Sequence, residues 1–248
     1  MVDSPDLKSN NNQIPGACFG QSMKKLPKAV IFDLDGTLII SSVDFMKFRK
    51  KMLEFVKTKG ADMADYSLDQ KIVSMISKFE AEMRRKKIPE KTIQGYLDDI
   101  DAFMNQIELE RIDETVAVPG SKRLLKALRK EGVKIGILTR GCPEYAMKAL
   151  KITGLIDLVD AMIARDRRLN ILPKPSPESA FALLKMLDVS KDDALMLGDY
   201  SIDCICANAA GIRFFGIVSS DGSREDLDKC GCEEYVSSLN EFGKKIGL

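Results

Sequence analysis

Short apolar segments alternate with amphipathic helical segments throughout the second half of this 248-residue chain. The apolar segments, which predict strands, occupy residues 133–138, 159–164, 194–197 and 213–218. Strands separated by helices of about 10 to 15 residues pair in parallel, and helices then cover both faces of their sheet. The pattern therefore predicts an α/β fold built on a doubly wound, mainly parallel sheet.

An earlier apolar run at residues 29–32 predicts one more strand, and acidic residues follow it directly. Asp33 and Asp35 stand two residues apart, and Gly36 allows the backbone to turn tightly after them. Carboxylates are costly to desolvate, so a pair at the end of a buried strand indicates a bound cation. An acidic turn without a ligand is the alternative interpretation of this segment alone.

Residues 43–116 follow a different pattern, in which apolar side chains recur at helical spacing. Gly60 ends the first helical segment, and Pro89 precedes the third. Ser67 and Gln70 form a capping-box sequence, which predicts that the second helix begins there. The whole block is therefore expected to be helical, without strands.

A purely helical block between strands is typical of an inserted unit with its own small bundle. We expect an all-helical insertion at 43–116 within an α/β core formed by 27–42 and 117–248. The polar residues 1–26 are predicted to be a disordered tail, in which Met23 could be the natural start.

The overall composition limits the possible partners and catalytic groups. Basic and acidic residues number 38 and 37, so net charge predicts neither a nucleic-acid nor a membrane partner. The chain has no histidine, which excludes Ser-His-Asp and Cys-His catalysis and any histidine-ligated zinc site. Catalysis by this chain is then expected to depend on carboxylates.

Six cysteines without a secretory signal predict reduced thiols in a soluble, cytoplasmic protein. Cys204 with Cys206, and Cys230 with Cys232, form two Cys-x-Cys pairs that together could supply four thiolate ligands. Structural zinc sites more often use Cys-x2-Cys spacing, so we interpret these cysteines as structural or incidental thiols.

Several polar residues follow the carboxyl ends of predicted strands, where open parallel sheets bind their ligands. These residues, with one lysine from a connecting loop, are Asp33, Asp35, Thr139, Lys174, Asp199 and Asp203. Carboxylates gathered at one site repel each other unless a hard cation such as Mg²⁺ is bound. A threonine hydroxyl and a lysine suit a phosphoryl group, and an aspartate is a competent nucleophile toward phosphorus.

These residues lie in four segments that resemble, in order, the motifs of the haloacid dehalogenase-like hydrolases. The segments are DLDGTL at 33–38, ILT at 137–139, KP at 174–175 and GDYSID at 198–203. The helical insertion resembles the C1-type cap of the phosphoglycolate phosphatase and beta-phosphoglucomutase group. The resemblance covers the chain from about residue 28 onward and implies a Rossmann-like core with a helical cap.

The resemblance also implies a Mg²⁺ site and a role for each carboxylate. Asp33 would be the nucleophile and a metal ligand. Asp35 would be the general acid and base, with its backbone carbonyl also on the metal. Asp199 would ligate Mg²⁺, and Asp203 would act directly, through water, or by orienting Lys174.

The implied phosphoryl-binding residues are Thr139, Arg140, Gly141 and Lys174. Thr139 and Lys174 would hold the phosphoryl group, and Lys174 would also offset the charge of Asp33. Arg140 departs from the small or amide residue that many relatives have after the motif threonine. It is either a group that reaches an anionic substrate or a solvated loop residue.

By this resemblance, the expected function is a Mg²⁺-dependent phosphomonoester hydrolase acting on a small phosphorylated metabolite, similar to phosphoglycolate phosphatase. Asp35 disfavours dehalogenation and phosphonate cleavage, since relatives with those activities lack this acid. A sugar phosphomutase of the beta-phosphoglucomutase type and a non-catalytic binding protein are the alternatives. The physiological substrate, the cap residues that select it and the oligomeric state are left open.

Overall fold

The computed structural model of this chain describes residues 25–218 and 221–248, with the side chains of 221–223 left aside. The predicted tail at 1–26 therefore lies outside the described residues except for its last two positions. The suggested start at Met23 also lies outside them. Within the described part of the chain, no helix is both long and apolar enough to cross a membrane.

One mainly parallel sheet forms the centre of the molecule. The strands are β1 (Ala29–Phe32), β2 (Ile39–Ile40), β3 (Val116–Ala117), β4 (Lys134–Leu138), β5 (Ala161–Ile163), β6 (Ala194–Gly198), β7 (Arg213–Ile217) and β8 (Tyr235–Val236). Six of them are joined in the order β5-β4-β1-β6-β7-β8, and every neighbouring pair in this sheet is parallel. The predicted doubly wound sheet is confirmed, with β1 at its centre.

Helices cover both faces of this sheet. The helices are α1 (Phe45–Thr58), α2 (Ile72–Arg85), α3 (Glu90–Leu109), α4 (Ser121–Lys130), α5 (Pro143–Ile152), α6 (Glu178–Leu187), α7 (Ser201–Ala210), α8 (Asp221–Asp228) and α9 (Leu239–Ile246). Val30 and Phe32 belong to an apolar cluster with α4, α5 and α9. Ala29 and Ile31 point to the other face and pack in a second cluster with α6 and α7. All four side chains are fully buried, as a central strand between two helical layers requires.

Helices α1, α2 and α3 share an apolar core that is separate from the two sheet clusters. Phe55 meets Phe79 edge to face at a centroid distance of 5.8 Å, and Phe79 is fully buried. The Glu82 carboxylate is also buried in this unit, where it accepts hydrogen bonds from the Tyr66 hydroxyl at 3.1 Å and Asp62 N at 2.9 Å. Amphipathic faces therefore bury one another within the helical segment.

The structure departs from the sequence prediction at the start of α2 and at the end of the predicted helical block. Helix α2 begins at Ile72, because Gln70 is used in a preceding turn, where its side chain bonds Ser67 N at 3.3 Å and Asp65 O at 3.0 Å. The prediction that the second helix begins at Ser67 was therefore wrong. The predicted absence of strands up to residue 116 was also wrong, since Val116 belongs to β3.

The missed strands form a ribbon at the two ends of the helical segment. Strand β2 pairs antiparallel with β3, with Ile39 opposite Ala117 and Ile40 opposite Val116. Strands of two residues are too short to show an alternating pattern, so the sequence carries no signal for them. The ribbon brings together the chain that leaves the sheet and the chain that returns to it.

We predict that Phe79→Ala lowers the free energy of unfolding by about 3 to 5 kcal/mol, because it leaves a cavity in a fully packed site. Phe181→Ala is the matched control, since this ring is 48% exposed on α6, and it should cost less than about 1 kcal/mol. Chemical denaturation followed by circular dichroism measures both values. Equal losses would show that the helical segment has no packed core of its own.

Candidate active site

The predicted site residues meet at the carboxyl end of β1, between its neighbours β4 and β6. Asp33 follows β1 and continues its ladder through Asp33 N to Leu197 O at 2.9 Å. Thr139 follows β4 and donates its N–H to Ile163 O at 3.0 Å. Asp199 directly follows β6. This is the position at which the strand order reverses and a ligand crevice opens in doubly wound sheets.

Lys174 lies at the centre of the site, and its side chain is only 2% exposed. Its ammonium bonds Asp33 Oδ1 at 2.5 Å and Asp203 Oδ1 at 2.6 Å. Burial by itself lowers the pKa of Lys174, but the charges of Asp203 and Asp33 raise it more. The pKa therefore lies above its ordinary value, and the ammonium is a fixed positive charge.

Asp33, Asp199 and Asp203 form a carboxylate trio, in which one ligand atom from each lies within 4.8 Å of the others. Burial and the neighbouring carboxylates raise the pKa of Asp199, and Lys174 opposes this only in part. Burial also raises the pKa of Asp203 above its ordinary value. Three carboxylates beside one ammonium leave an excess of negative charge, and a hard divalent cation with oxygen ligands would balance it.

Two glycines make room for this trio. Gly36 has a φ of +82°, and a Cβ there would lie 2.1 Å from Asp199 Oδ2. A Cβ at Gly198 would lie 2.6 Å from the Asp203 side chain. A side chain at either position would therefore require the neighbouring aspartate or the backbone to shift. Gly36, in the first motif, therefore leaves the room that Asp199, in the fourth motif, occupies.

Asp35 is not part of the trio, and the Tyr145 hydroxyl donates a hydrogen bond to its Oδ1. Burial, and next the charge of Asp33, raises the pKa of Asp35 to about 7, although the bond from Tyr145 lowers it in part. A carboxyl group with a pKa near neutrality can both give and take a proton. The metal contact expected of the Asp35 backbone carbonyl stays a prediction.

The segment after β4 supplies the predicted phosphoryl-binding residues. Thr139 Oγ1 is buried and accepts a hydrogen bond from Gly141 N at 3.0 Å. A Cβ at Gly141 would lie 2.6 Å from the Tyr145 ring. Arg140 is half-buried and donates from Nη1 to Lys174 O, and burial followed by the charge of Arg165 lowers its pKa to about 10. Contact between Arg140 and a substrate stays a prediction.

Sequence reasoning missed Tyr145, Glu108 and Arg165. Arg165 Nη2 bonds Glu108 Oε1 at 2.8 Å, and Glu108 Oε2 accepts from Cys142 N at 2.8 Å. These partners are separated by 34 to 110 residues along the chain, so no local pattern could have found them.

The cysteines in the described part of the chain are free thiols. Cys204 and Cys206 are fully buried near the start of α7 and contact different neighbours, the carbonyl groups of Cys230 and Ser176. No cysteine there belongs to a group of three or more side chains close enough to share a metal ion. The interpretation of the two Cys-x-Cys pairs as structural or incidental thiols stays a prediction.

We predict that Gly36→Ala weakens Mg²⁺ binding by at least about tenfold, because the added methyl group displaces Asp199. Gly60→Ala is the matched control, since Gly60 also has a positive φ, of +72°, but has nothing within 4 Å of an added Cβ. It should cost only the backbone strain, about 1 to 2 kcal/mol. Calorimetric titration with Mg²⁺ and thermal unfolding measure the two effects, and unchanged Mg²⁺ affinity in Gly36→Ala would refute the arrangement.

The raised pKa of Asp199 predicts how pH changes stability without a divalent ion. The folded protein keeps a proton that the unfolded chain, with an aspartate pKa of about 3.9, has already released. Stability should therefore fall as pH rises from about 4 through the raised pKa, and added Mg²⁺ should restore it. Asp199→Asn should flatten this loss, which thermal unfolding from pH 5 to 8 measures. An identical slope in wild type and variant would contradict the raised pKa.

Comparison with known proteins connects this geometry to a family. The family described as haloacid dehalogenase-like hydrolase matches residues 30–217. A haloacid dehalogenase-like hydrolase from Bacteroides fragilis has a similar structure, with a TM-score of 0.63 and 21% identity over 87% of this chain and 99% of that one. A structure described as a predicted phosphatase from Clostridium acetobutylicum aligns with a TM-score of 0.62 and 24% identity, over 90% of this chain and 99% of that one.

Curated relatives extend the similarity to named enzymes. Phosphoglycolate phosphatase from Rhodospirillum rubrum is 30% identical over 90% of this chain and 92% of its own length. Pyrophosphatase PpaX from Listeria monocytogenes is 29% identical over 68% of this chain and 73% of its own length. With a match that spans residues 30–217 and this level of identity, the chain belongs to the haloacid dehalogenase-like hydrolases.

Proposed function

We propose that this protein is a Mg²⁺-dependent phosphomonoesterase that acts on a small phosphorylated metabolite through an aspartyl-phosphate intermediate. The observation that carries the proposal is the buried Lys174 ammonium, bonded to Asp33 and Asp203 beside the carboxylate trio. Similarity to enzymes named phosphoglycolate phosphatase and pyrophosphatase supports hydrolysis of a phosphate ester or anhydride.

The proposed metal ligands are the side chains of Asp33, Asp199 and Asp203 and the backbone carbonyl of Asp35. The trio fits Mg²⁺ because it presents three carboxylate oxygens within 4.8 Å of one another, and Gly36 leaves room for the Asp199 carboxylate. When bound, Mg²⁺ supplies positive charge to the phosphoryl oxygens during transfer. The excess negative charge of the trio is the observation on which this assignment rests.

Asp33 is the proposed nucleophile. Its carboxylate forms an O–P bond to the substrate while the bond from phosphorus to the ester oxygen breaks. Lys174 holds Asp33 in place through the 2.5 Å bond and offsets the negative charge that gathers at the site. Asp203 in turn fixes Lys174, which makes it a positioning residue for the nucleophile as well as a proposed metal ligand.

Asp35 is the proposed general acid and base. With a pKa raised to about 7, its protonated form gives a proton to the leaving alkoxide. The resulting carboxylate then takes a proton from the water that attacks the aspartyl-phosphate. The Tyr145 hydroxyl bonds Asp35 Oδ1 and so fixes the direction of the carboxyl group.

The phosphoryl group is proposed to bind to Thr139, Lys174 and the segment through Arg140 and Gly141. Thr139 Oγ1 accepts from Gly141 N, so its own hydrogen is free to donate to a phosphoryl oxygen. We also propose the domain division 27–42 and 117–248 as catalytic core and 43–116 as cap. A cytoplasmic location is likewise proposed, on the basis of the free thiols.

We predict that Asp33→Asn lowers kcat by at least about 10⁴-fold, because the amide is a poor nucleophile toward phosphorus. The exposed Asp192→Asn is the control and should leave kcat unchanged. Phosphate release from a panel of small phosphoesters that includes phosphoglycolate, and from pyrophosphate, measures both variants in the presence of Mg²⁺. Unchanged phosphate release by a folded Asp33→Asn protein would contradict the assignment of Asp33 as the nucleophile.

The same assay distinguishes the phosphomutase alternative. Turnover that requires a catalytic amount of bisphosphorylated sugar and releases no phosphate would favour a phosphomutase.

A further inference from the structure

Arg140 and Gly141, which follow β4, are hydrogen-bonded by Arg165, a residue that has no role in the proposed chemistry. Arg165 lies two residues after β5, and its side chain is only 5% exposed. Its backbone N–H donates to Gly141 O at 3.0 Å. Its guanidinium Nε donates to Arg140 O at 2.9 Å. Two consecutive carbonyl groups of the proposed phosphoryl-binding segment are therefore fixed by one residue.

The other end of the Arg165 guanidinium is fixed by one face of α3. Nη2 donates to Glu108 Oε1 at 2.8 Å and to Asn105 Oδ1 at 2.9 Å. Nη1 donates to Asp101 Oδ1 at 2.7 Å. Residues 101, 105 and 108 are spaced by four and three, so they lie on the same side of the helix. The planar fork of an arginine matches this set of fixed acceptors.

Glu108 completes a closed ring of hydrogen bonds around the segment. One carboxylate oxygen binds Arg165, and the other accepts from Cys142 N at 2.8 Å. The ring runs from Cys142 N through Glu108 and Arg165 to Arg140 O, and therefore encloses Gly141. Glu108 is only 4% exposed. Both sides of the segment are thus fixed by a buried pair that joins α3 to the sheet.

Fold stability by itself does not explain such a pair. Burying two charges costs solvation, and well-packed apolar residues in their place are often equally or more stabilising. What apolar residues cannot supply is a donor to Arg140 O and an acceptor for Cys142 N. A displacement of about 1 Å in a group that holds the reacting atoms can cost about 100-fold in rate. The pair therefore fixes the backbone geometry of residues 140–142.

We propose that Glu108 and Arg165 are positioning residues that shape the Thr139–Cys142 segment for phosphoryl binding, and that they do so only while α3 is docked against it. This inference rests on the proposed function, because it assigns the segment to the phosphoryl group. Neither side chain contacts the proposed nucleophile. Docking of α3 thereby completes the phosphoryl site.

Arg165→Lys separates positioning from simple charge pairing. A lysine ammonium keeps the positive charge near Glu108 and Asp101, but one small ammonium group cannot also reach Arg140 O in the geometry of Nε. Arg167→Lys is the matched control. Arg167 also bonds Asp101 of α3, and its side chain is 36% exposed. Among the described residues, it makes no hydrogen bond to residues 139–142.

The experiment measures two quantities for wild type and both variants in the presence of Mg²⁺. The first is the affinity for inorganic phosphate by calorimetry, and the second is kcat and KM for p-nitrophenyl phosphate. Arg165→Lys should weaken phosphate binding and lower kcat, each by at least about tenfold. Arg167→Lys should stay within about twofold of wild type in both. Thermal unfolding confirms that each variant is folded.

A second variant keeps the test decisive if Arg165→Lys does not fold. Glu108→Gln keeps the shape and one acceptor oxygen, so it should show the same losses to a smaller degree. Wild-type phosphate affinity and kcat in a folded Arg165→Lys protein would overturn the positioning role, because charge alone would then suffice. A wild type that binds phosphate but hydrolyses no phosphoester would instead overturn the proposed function, while the binding comparison still decides the role of Arg165.

Discussion

The ion contacts of Lys174 are the interaction on which the rest of the site depends. An ammonium group that is only 2% exposed is costly unless carboxylates surround it, and Asp33 and Asp203 do so at 2.5 and 2.6 Å. Asp33 follows β1, Lys174 lies between β5 and α6, and Asp203 lies in the first turn of α7, all at the carboxyl end of the sheet. The central position of β1 between β4 and β6 brings them together. Fold and site are therefore coupled, since the sheet order places the charges and the charges hold the loops.

The Lys174 ammonium is not enough to balance the negative charge of the site. Asp199 adds a third carboxylate, for which Gly36 leaves space, and one ammonium cannot balance three carboxylates. A divalent cation is the simplest addition that restores the balance, and a phosphoryl group then has two positive partners. Asp35 is not part of the trio and accepts a hydrogen bond from Tyr145, and burial raises its pKa to about 7. The protein thus separates the carboxylates that bind charge from the one that moves protons.

Five of the six strands of the sheet were predictable from the sequence, because each is short, apolar and bounded by turns or helix starts. The sixth, β8, has only two residues and was missed. The positions of Asp33, Lys174, Asp199 and Asp203 followed from the same reasoning, since parallel strands end at one edge. The β2–β3 ribbon was not predictable, because two-residue strands carry no periodicity. The start of α2 was missed because a capping-box sequence serves equally well in a turn. The Tyr145 contact and the Glu108–Arg165 pair depend on distant partners, which only the folded structure reveals.

Trapping the covalent intermediate tests the central claim most directly. Asp35→Asn slows the attack of water on an aspartyl-phosphate, and p-nitrophenyl phosphate has a leaving group that needs no proton. After single turnover with Mg²⁺ and acid quenching, peptide mapping by mass spectrometry should find one phosphoryl group on the peptide that contains Asp33. A phosphoryl group on another residue, or rapid release of p-nitrophenol with no phosphorylated peptide, would contradict the assignment of Asp33 as the nucleophile.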